Sequence, residues 1–433
     1  MKRTLRGLSV LILIWPALVS CGYKGSSQSH SGLKLRAFVS NPLHPLSSGG
    51  GTPVLEIVDA SKDVLSGFLV SLSGSVSDAG MMALSPKKDR TLVFSPTNNS
   101  LVVVDNATES ASGAVSLPGA TESFFVWTDD TTAFVAVPTA TVSGQPAGVV
   151  GRINTSSSPI TATVPVPGAH YLVPSPTGNQ VLVISDTANA VQVLFPSLID
   201  TGTALTAVTG SFDRPVWAAF SSDGSTAYVL NCGQECGGSG ATASVAKIDM
   251  TQSSPAVTNT LSIPGGATVG LLQGSTLYVA GTPIAPQNDC AGSGKTTSAT
   301  SCGRLSVIDA SSLTITSTAP LVIADGRHDR MEMGSQGQLF IGSRNCTNIN
   351  VSGTTPEVRG CLTLVNTSTL SNANITVAPR NGDVTGIEPI PNRSVVYVCE
   401  GGKLTIYDTT TDQPQTTQVN IVGQAVDVKV PDF

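Results

Sequence analysis

The sequence has few charged and few aromatic residues. Of its 433 residues, 12% are Asp, Glu, Lys or Arg, about half the usual share, and 5% are Phe, Trp or Tyr. The formal net charge is −6, and no run of basic residues occurs. An acidic chain without a basic patch argues against nucleic-acid binding and against electrostatic attachment to anionic lipid.

Catalytic and metal-binding motifs are also missing. There are only four histidines. We find no hydrolase elbow, phosphate-binding loop, calcium-binding loop or HExxH motif, so we expect no metal and no cofactor. No long stretch repeats apolar residues at helical spacing. The 43 glycines, 27 prolines and many Ser, Thr and Val residues favour strands and tight turns, which predicts an all-β fold.

The N-terminal apolar stretch is too short to span a bilayer comfortably. It covers residues 8–19 and follows the basic residues Lys2, Arg3 and Arg6, which is the anatomy of a secretory signal. It ends in Leu-Val-Ser-Cys at Cys21, which resembles a bacterial lipobox. The resemblance implies that Cys21 carries lipid and becomes the new N-terminus; the alternative is a plain secretory signal followed by a chance cysteine.

The segment after Cys21 completes this expectation. Gly22, rather than Asp, follows the cysteine, which by resemblance to lipoprotein sorting suggests the outer membrane. Residues 22–32 are small and polar, as in a flexible tether. We therefore predict a lipoprotein signal peptide at 1–20, a lipidated tether at 21–34, and one large domain at 35–433. Without residues 1–20 the charge balance becomes −9, from 20 basic and 29 acidic residues.

One pattern recurs from Leu35 to the end of the chain. Its third element reads VLEIVD, LVVVDN, VVGRIN, SVAKID, LSVID, LTLVN and LTIYD, and its period is about 50 residues. Four-stranded propeller blades with loop insertions have this period. We count eight units, with seven blades as the alternative. The first unit lacks an innermost strand, which residues 424–433 (QAVDVKVPDF) can supply to close the ring.

The copies resemble the YVTN-type β-propeller repeat family. The best matches are FSSDGSTAYVLN (220–231) followed by SVAKID, and GSTLYVAG followed by LSVIDASS. The resemblance covers residues 35–430 and implies a β-propeller. It indicates fold far better than activity.

Each third element except one ends in Asp or Asn before a Ser/Thr-rich turn. A ring of carboxylates is one interpretation of this column. The stronger one is structural, because an Asx side chain can accept a hydrogen bond from the backbone two residues on.

Seven cysteines lie in the repeat domain, and six form local couples between second and third strands. We predict the disulfides Cys232–Cys236, Cys290–Cys302 and Cys346–Cys361, which an exported protein permits. A metal or thiol-redox site is the alternative, but only Cys232–Cys236 has suitable spacing and no partner couple follows. Cys399 is left over and aligns with an apolar strand position, so we expect a buried, inert thiol.

Polar residues concentrate in the connections that lead into each innermost strand. In a propeller these connections surround the central funnel. The densest charged stretch is DGRHDRME (325–332). The polar residues of these connections form either a binding pocket or a salt-bridged, solvated rim. The candidate binding residues are His170, Tyr171, Asp213, Arg214, Asp325, Arg327, His328, Asp329, Arg330 and Glu332.

The sequence therefore predicts an envelope lipoprotein, attached to a membrane through lipid, whose propeller binds a protein, peptide or glycan on its loop-bearing face. A propeller enzyme is the alternative, lactonase-like or another hydrolase, with its site in the central funnel. The third possibility is a purely structural envelope component. The sequence identifies no catalytic residue.

Overall fold

The computed structural model describes residues 30–433, except 157–159, 241, 288–289, 291–299, 318–320, 350–356, 371–374 and 378–381. Cys21, the signal segment and most of the tether lie outside the described residues. Within them, the strands form eight antiparallel sheets that follow one another along the chain. The protein is an eight-bladed β-propeller, so the predicted fold and blade number are confirmed and the seven-bladed alternative is wrong.

The first four blades lie within residues 36–207, apart from one strand of blade 1. Blade 1 consists of β1 (Arg36–Pro45), β2 (Gly51–Asp59) and β3 (Val64–Ser71), together with the last strand of the chain. Blade 2 consists of β4 (Met82–Leu84), β5 (Arg90–Ser95), β6 (Ser100–Asp105) and β7 (Ser110–Ser116). Blade 3 consists of β8 (Ser123–Val126), β9 (Thr132–Val137), β10 (Val149–Asn154) and β11 (Ile160–Pro165). Blade 4 consists of β12 (Tyr171–Pro174), β13 (Val181–Ser185), β14 (Ala190–Leu194) and β15 (Leu205–Ala207).

The last four blades carry the longest insertions. Blade 5 consists of β16 (Pro215–Phe220), β17 (Thr226–Asn231), β18 (Ala243–Asp249) and β19 (Ala256–Ile263). Blade 6 consists of β20 (Val269–Gln273), β21 (Thr276–Gly281), β22 (Gly303–Asp309) and two short strands paired with β22, β23 (Thr314–Ile315) and β24 (Leu321–Ile323). Blade 7 consists of β25 (Arg327–Met333), β26 (Gln338–Ile349), β27 (Glu357–Asn366) and β28 (Ile375–Val377). Blade 8 consists of β29 (Val384–Pro389), β30 (Val395–Glu400), β31 (Lys403–Asp408) and β32 (Gln413–Pro414).

The ring closes through the C-terminal strand β33 (Asp427–Lys429). It pairs with β1 in the register Phe38–Lys429, Val39–Val428 and Ser40–Asp427, and so supplies the innermost strand of blade 1. This confirms the predicted closure. Two 3-10 helices, Pro196–Thr201 and Gly233–Cys236, lie in loops.

Apolar side chains fill the layers between neighbouring blades. Between blades 2 and 3, for example, Leu92 and Val103 belong to one buried cluster with Phe124 and Val135. Neighbouring blades cover both faces of the middle strands, so most residues of these strands are buried, and their Val, Leu, Ile, Phe and Ala side chains fill the layers. Packing between the blades therefore makes the ring a rigid scaffold, from which the loops project.

Antiparallel pairing gives the ring two distinct faces. On the upper face lie the loops between second and third strands and the blade-to-blade connections. The tight turns between first and second strands and between third and fourth strands lie on the lower face. The Asp/Asn column belongs to these lower turns: Asp249 Oδ1 accepts from Thr251 N at 2.9 Å, and Asp408 Oδ1 from Thr410 N at 2.7 Å. The structural interpretation of the column is confirmed.

The cysteines pair as predicted. The structure contains Cys232–Cys236 and Cys290–Cys302, each within one upper loop, and Cys346–Cys361, which joins β26 to β27. Cys399 is a free, buried thiol in β30, and burial raises its pKa well above the usual value. Among the described residues, no helix is long and apolar enough to cross a membrane.

Candidate functional site

A cavity of about 950 Å³ opens at the centre of the upper face. Connections from blades 2 to 7 supply its lining. Seven of the ten predicted binding residues border it: His170, Tyr171, Asp325, Arg327, His328, Asp329 and Arg330. The hydrophobic part of the wall comes mainly from Met81, Val216, Trp217, Val269 and Ile284.

His170 lies between two carboxylates from different loops. Its Nδ1 is 3.1 Å from Asp186 Oδ1, and its Nε2 is 3.4 Å from Glu122 Oε2. Burial alone lowers the pKa of His170, but Asp186 and Glu122 outweigh it and raise the pKa to about 9. The ring also stacks on Tyr171, with centroids 4.2 Å apart. His170 is therefore a fixed imidazolium at neutral pH.

Blade 7 contributes three arginines around one acid. Arg344 Nε is 2.7 Å from Asp329 Oδ2. Arg330 donates to two backbone carbonyls, those of Thr385 and Asp329, each at 2.9 Å. Burial raises the pKa of Asp329, and the surrounding arginines oppose this effect.

A β-bulge places Asp329 in the cavity wall. In the pairing of β25 with β26, His328 faces Ser343 and Arg330 faces Gly342, so Asp329 is the extra residue. Bulges commonly redirect a side chain toward a site. Glu122, besides its contact with His170, has an oxygen 3.9 Å from Arg327 Nη2, which joins the two charged groups across the cavity.

Two of the seven cavity residues, Asp325 and His328, also form hydrogen bonds that stabilise the surrounding loops. The Asp325 carboxylate accepts from Thr347 N at 2.9 Å and from Ser301 Oγ at 3.0 Å, and so ties two upper loops together. His328 is only 1% exposed, and its Nε2 donates to Ala324 O at 2.9 Å. Burial lowers the pKa of His328 to about 4, so its imidazole is neutral at pH 7. It forms part of the floor rather than an exposed rim.

The other three predicted residues, Asp213, Arg214 and Glu332, are not among the residues that line this cavity. Asp213 accepts from Ser239 N at 3.0 Å and Gly240 N at 2.6 Å, and holds the disulfide-bonded loop of blade 5. Arg214 has a positive φ of 53° and donates its backbone N–H to Asn189. The Asp213 carboxylate therefore shapes a loop, whereas the Arg214 side chain acts electrostatically on the cavity residue Asp186.

Glu332 lies on β25, the innermost strand of blade 7, and is deeper in the central channel than the cavity residues of that strand. Burial raises its pKa to about 7, although Lys429 opposes the shift. Lys429 Nζ itself lies 3.3 Å from Glu388 Oε2. Glu332 thus belongs to a separate charged cluster that lines the channel.

Sequence reasoning missed Asp186, Glu235 and Arg344 as cavity residues. Glu235 lies inside the Cys232–Cys236 loop. It accepts from Thr282 N at 2.7 Å and Ala267 N at 3.3 Å in blade 6. Burial raises its pKa to about 7, although these two hydrogen bonds oppose the shift. The sequence feature that could have identified Glu235 is its position between the two cysteines of a predicted disulfide.

Within the described chain, no group of three or more His, Cys, Asp or Glu side chains is arranged to hold a metal ion. The cavity instead offers alternating cations and carboxylates beside Tyr171 and Trp217. Such a wall can donate and accept hydrogen bonds at fixed positions and cover an apolar ligand face.

Comparison with known proteins supports the fold. No family model and no curated protein sequence matches the chain, so membership of the YVTN-type family stays a prediction. The chain is similar to the solved structure of dihydro-heme d1 dehydrogenase NirN in complex with DHE, with 12% identity over 92% of this chain and 75% of that chain and a TM-score of 0.61.

Two further solved structures share the architecture. Kuenenia stuttgartiensis hydrazine synthase matches with 15% identity, 80% of this chain, 95% of that chain and a TM-score of 0.54. A functionally unknown protein from Desulfotomaculum acetoxidans DSM 771 matches with 15% identity, 85% of this chain, 99% of that chain and a TM-score of 0.51. At these identities the similarity shows the propeller fold alone.

Proposed function

We propose that the protein is a ligand-binding propeller, which takes a polar chain end of a glycan or peptide into the upper cavity. The observation that carries the proposal is the charged network from Asp186 through His170, Glu122 and Arg327, which lines one cavity on a rigid ring. Ion pairs scattered over a solvated rim would not share a cavity in this way.

The size of the cavity supports a ligand of this class. Pockets for organic ligands measure about 300–1,000 Å³ and combine apolar walls with a few fixed polar groups. This one measures about 950 Å³. The disulfide-bonded loops that border it lose less conformational entropy on binding than free loops do.

The charged groups favour a ligand with hydrogen-bond donors and at least one acidic group. The Arg330 guanidinium donates to two backbone carbonyls, and within the described residues no carboxylate accepts a hydrogen bond from it. Arg327 is exposed, and its nearest carboxylate oxygen, on Glu122, is 3.9 Å away. Guanidinium groups bind carboxylates and phosphates in a two-point geometry.

A lipid anchor at Cys21 remains part of this proposal. An anchored, exported protein would meet envelope glycans and envelope proteins, which are ligands of this chemistry. The outer membrane is the location we propose, from Gly22 after the lipobox.

A propeller hydrolase, lactonase-like or of another kind, is the second candidate, and Glu235 is the observation that favours it. A carboxyl group with a pKa of about 7 in a cavity wall is suited to general acid–base catalysis. Its two backbone hydrogen bonds support a structural role instead. Glu235→Gln separates the candidates: an enzyme would keep ligand binding and lose turnover at least 100-fold.

The test of the proposed function is a glycan and peptide array probed with matched variants. The double variant Arg327→Ala, Arg344→Ala removes two cavity charges. Arg152→Ala is the control, because Arg152 pairs with Asp200 outside the cavity. We expect the double variant to lose at least ten-fold in affinity and the control to bind like wild type. Equal binding by all three proteins would contradict the proposal.

A further inference from the structure

The outermost strand of blade 1 exposes an apolar rim. Val64, Leu65, Phe68 and Leu69 on β3 are 38–46% exposed, and we call these four residues the blade 1 rim. Seven other large apolar side chains in the described chain are at least as exposed, but no other six consecutive residues hold four of them. An exposed apolar cluster of this kind marks an interaction surface.

Local backbone geometry contributes to the exposure of Phe68, whereas the other three rim residues remain paired with β2. The pairing of β2 with β3 shifts between Glu56–Leu69 and Val58–Leu65, so the intervening residues of β3 leave the ladder. Gly67 has a φ of +78°, and a Cβ there would meet no atom within 4 Å. The strand thus bulges outward at Phe68. The corresponding strand of blade 2, β7, reads SASGAVS and carries no such cluster.

The described chain begins beside this rim, on the lower face. Ser31 N and Ser31 Oγ each lie 2.5 Å from the Glu109 carboxylate in the turn between β6 and β7. Leu33 packs against the buried cluster that contains Val70 of β3. The lower face lies opposite the cavity.

Resting on the lipid anchor at Cys21 that belongs to the proposed function, we propose that the blade 1 rim contacts the bilayer holding that anchor, and that this contact turns the cavity away from the membrane. His30 follows Cys21 by nine positions in the sequence, so the two are at most about 30 Å apart. Apolar contact is the suitable attraction, because the chain is acidic and gains nothing from anionic lipid.

A second copy of the chain fits the rim less well. Four half-exposed side chains cover far less than the ~1,200 Å² or more that a specific protein interface buries. A bilayer requires no shape complementarity, and a few apolar side chains can insert into it.

The experiment measures depth in the membrane. Full-length protein, expressed with its own N-terminal segment, is reconstituted into phosphatidylcholine vesicles that contain brominated lipid. Phe68→Trp reports on the rim, and Leu198→Trp, which is equally exposed on blade 4, is the control. Bromine quenches only a nearby indole. We expect at least two-fold stronger quenching at position 68 than at position 198.

Equal quenching at the two positions would overturn the proposal. So would concentration-dependent self-association that Leu65→Ser and Leu69→Ser abolish, because the rim would then bind a second copy. Neither outcome affects ligand binding in the cavity, which is measured separately on the opposite face.

Discussion

Arg36 and Asp432, 396 residues apart in sequence, form a two-point ion pair at the seam of the ring. Arg36 Nε lies 3.0 Å from Asp432 Oδ2, and Arg36 Nη2 lies 2.7 Å from Asp432 Oδ1. The backbone N–H of Arg36 also donates to Asp432. The pair joins the first strand of the propeller to the segment just after the last one.

Asp432→Ala is therefore expected to weaken ring closure. It leaves a half-buried guanidinium and a backbone N–H without their carboxylate, although Glu109 still contacts Arg36. We expect the free energy of unfolding to fall by about 1–3 kcal/mol in urea titrations. Asp200→Ala removes an exposed ion pair and serves as control, with an expected loss below about 1 kcal/mol. Equal stability of the two variants would contradict the claim that the Arg36–Asp432 ion pair stabilises the closure of the ring.

His170 should titrate far above an ordinary histidine. Two carboxylates hold its proton, so we expect a pKa near 9 in NMR titrations of the ring protons. Asp186→Asn removes one carboxylate and should lower that pKa. Since the pKa in the folded state is raised, the associated stability is complete below pH 6.5 and is lost as the pH rises through about 9. A pKa near 6.5 in wild type would contradict the ion-pair geometry.

His328 should make the protein sensitive to acid. Its pKa in the folded state is about 4, below the ordinary 6.5, because burial disfavours the charged ring. The folded state is therefore fully stabilised above pH 6.5 and loses about 3 kcal/mol as the pH falls to 4. We expect His328→Gln to flatten the dependence of Tm on pH between 4 and 6.5. An unchanged slope would mean that the wild-type ring is already charged in this range.

Cys399 should be inert until the protein unfolds. It is fully buried and its pKa is raised, so little reactive thiolate is accessible. A thiol reagent such as Ellman's should detect no Cys399 thiol in the native protein and one after denaturation. Rapid reaction in the native state would show that β30 opens readily.

The fold was predictable because each blade is a local pattern. Alternating strands, turn residues and, in every blade but one, an Asx residue at the end of the third strand all lie within about 50 residues of one another. The closure of the ring was also predictable, because residues 424–433 have the pattern of an extra strand and the first unit lacks its innermost strand. The three disulfides were predictable because each joins two cysteines that are close together in the sequence.

The site was predictable only in part, because its geometry depends on contacts between blades. Nothing near Asp186 in the sequence indicates that it faces His170. His328 lies among charged residues and reads as exposed. In the structure its ring lies under Gly303, where a Cβ would come within 2.7 Å of Cε1. A glycine at position 303 therefore leaves room for the His328 ring and for the Ala324 carbonyl.

The most direct test of the account is hydrogen–deuterium exchange of wild-type protein with and without a glycan or peptide captured on the array. If the upper cavity binds the ligand, protection will concentrate in residues 268–284 and 325–347. The lower turns at residues 59–63 and 105–109 will exchange at the same rate in both samples. Protection confined to the lower turns, with none around the cavity, would contradict the account.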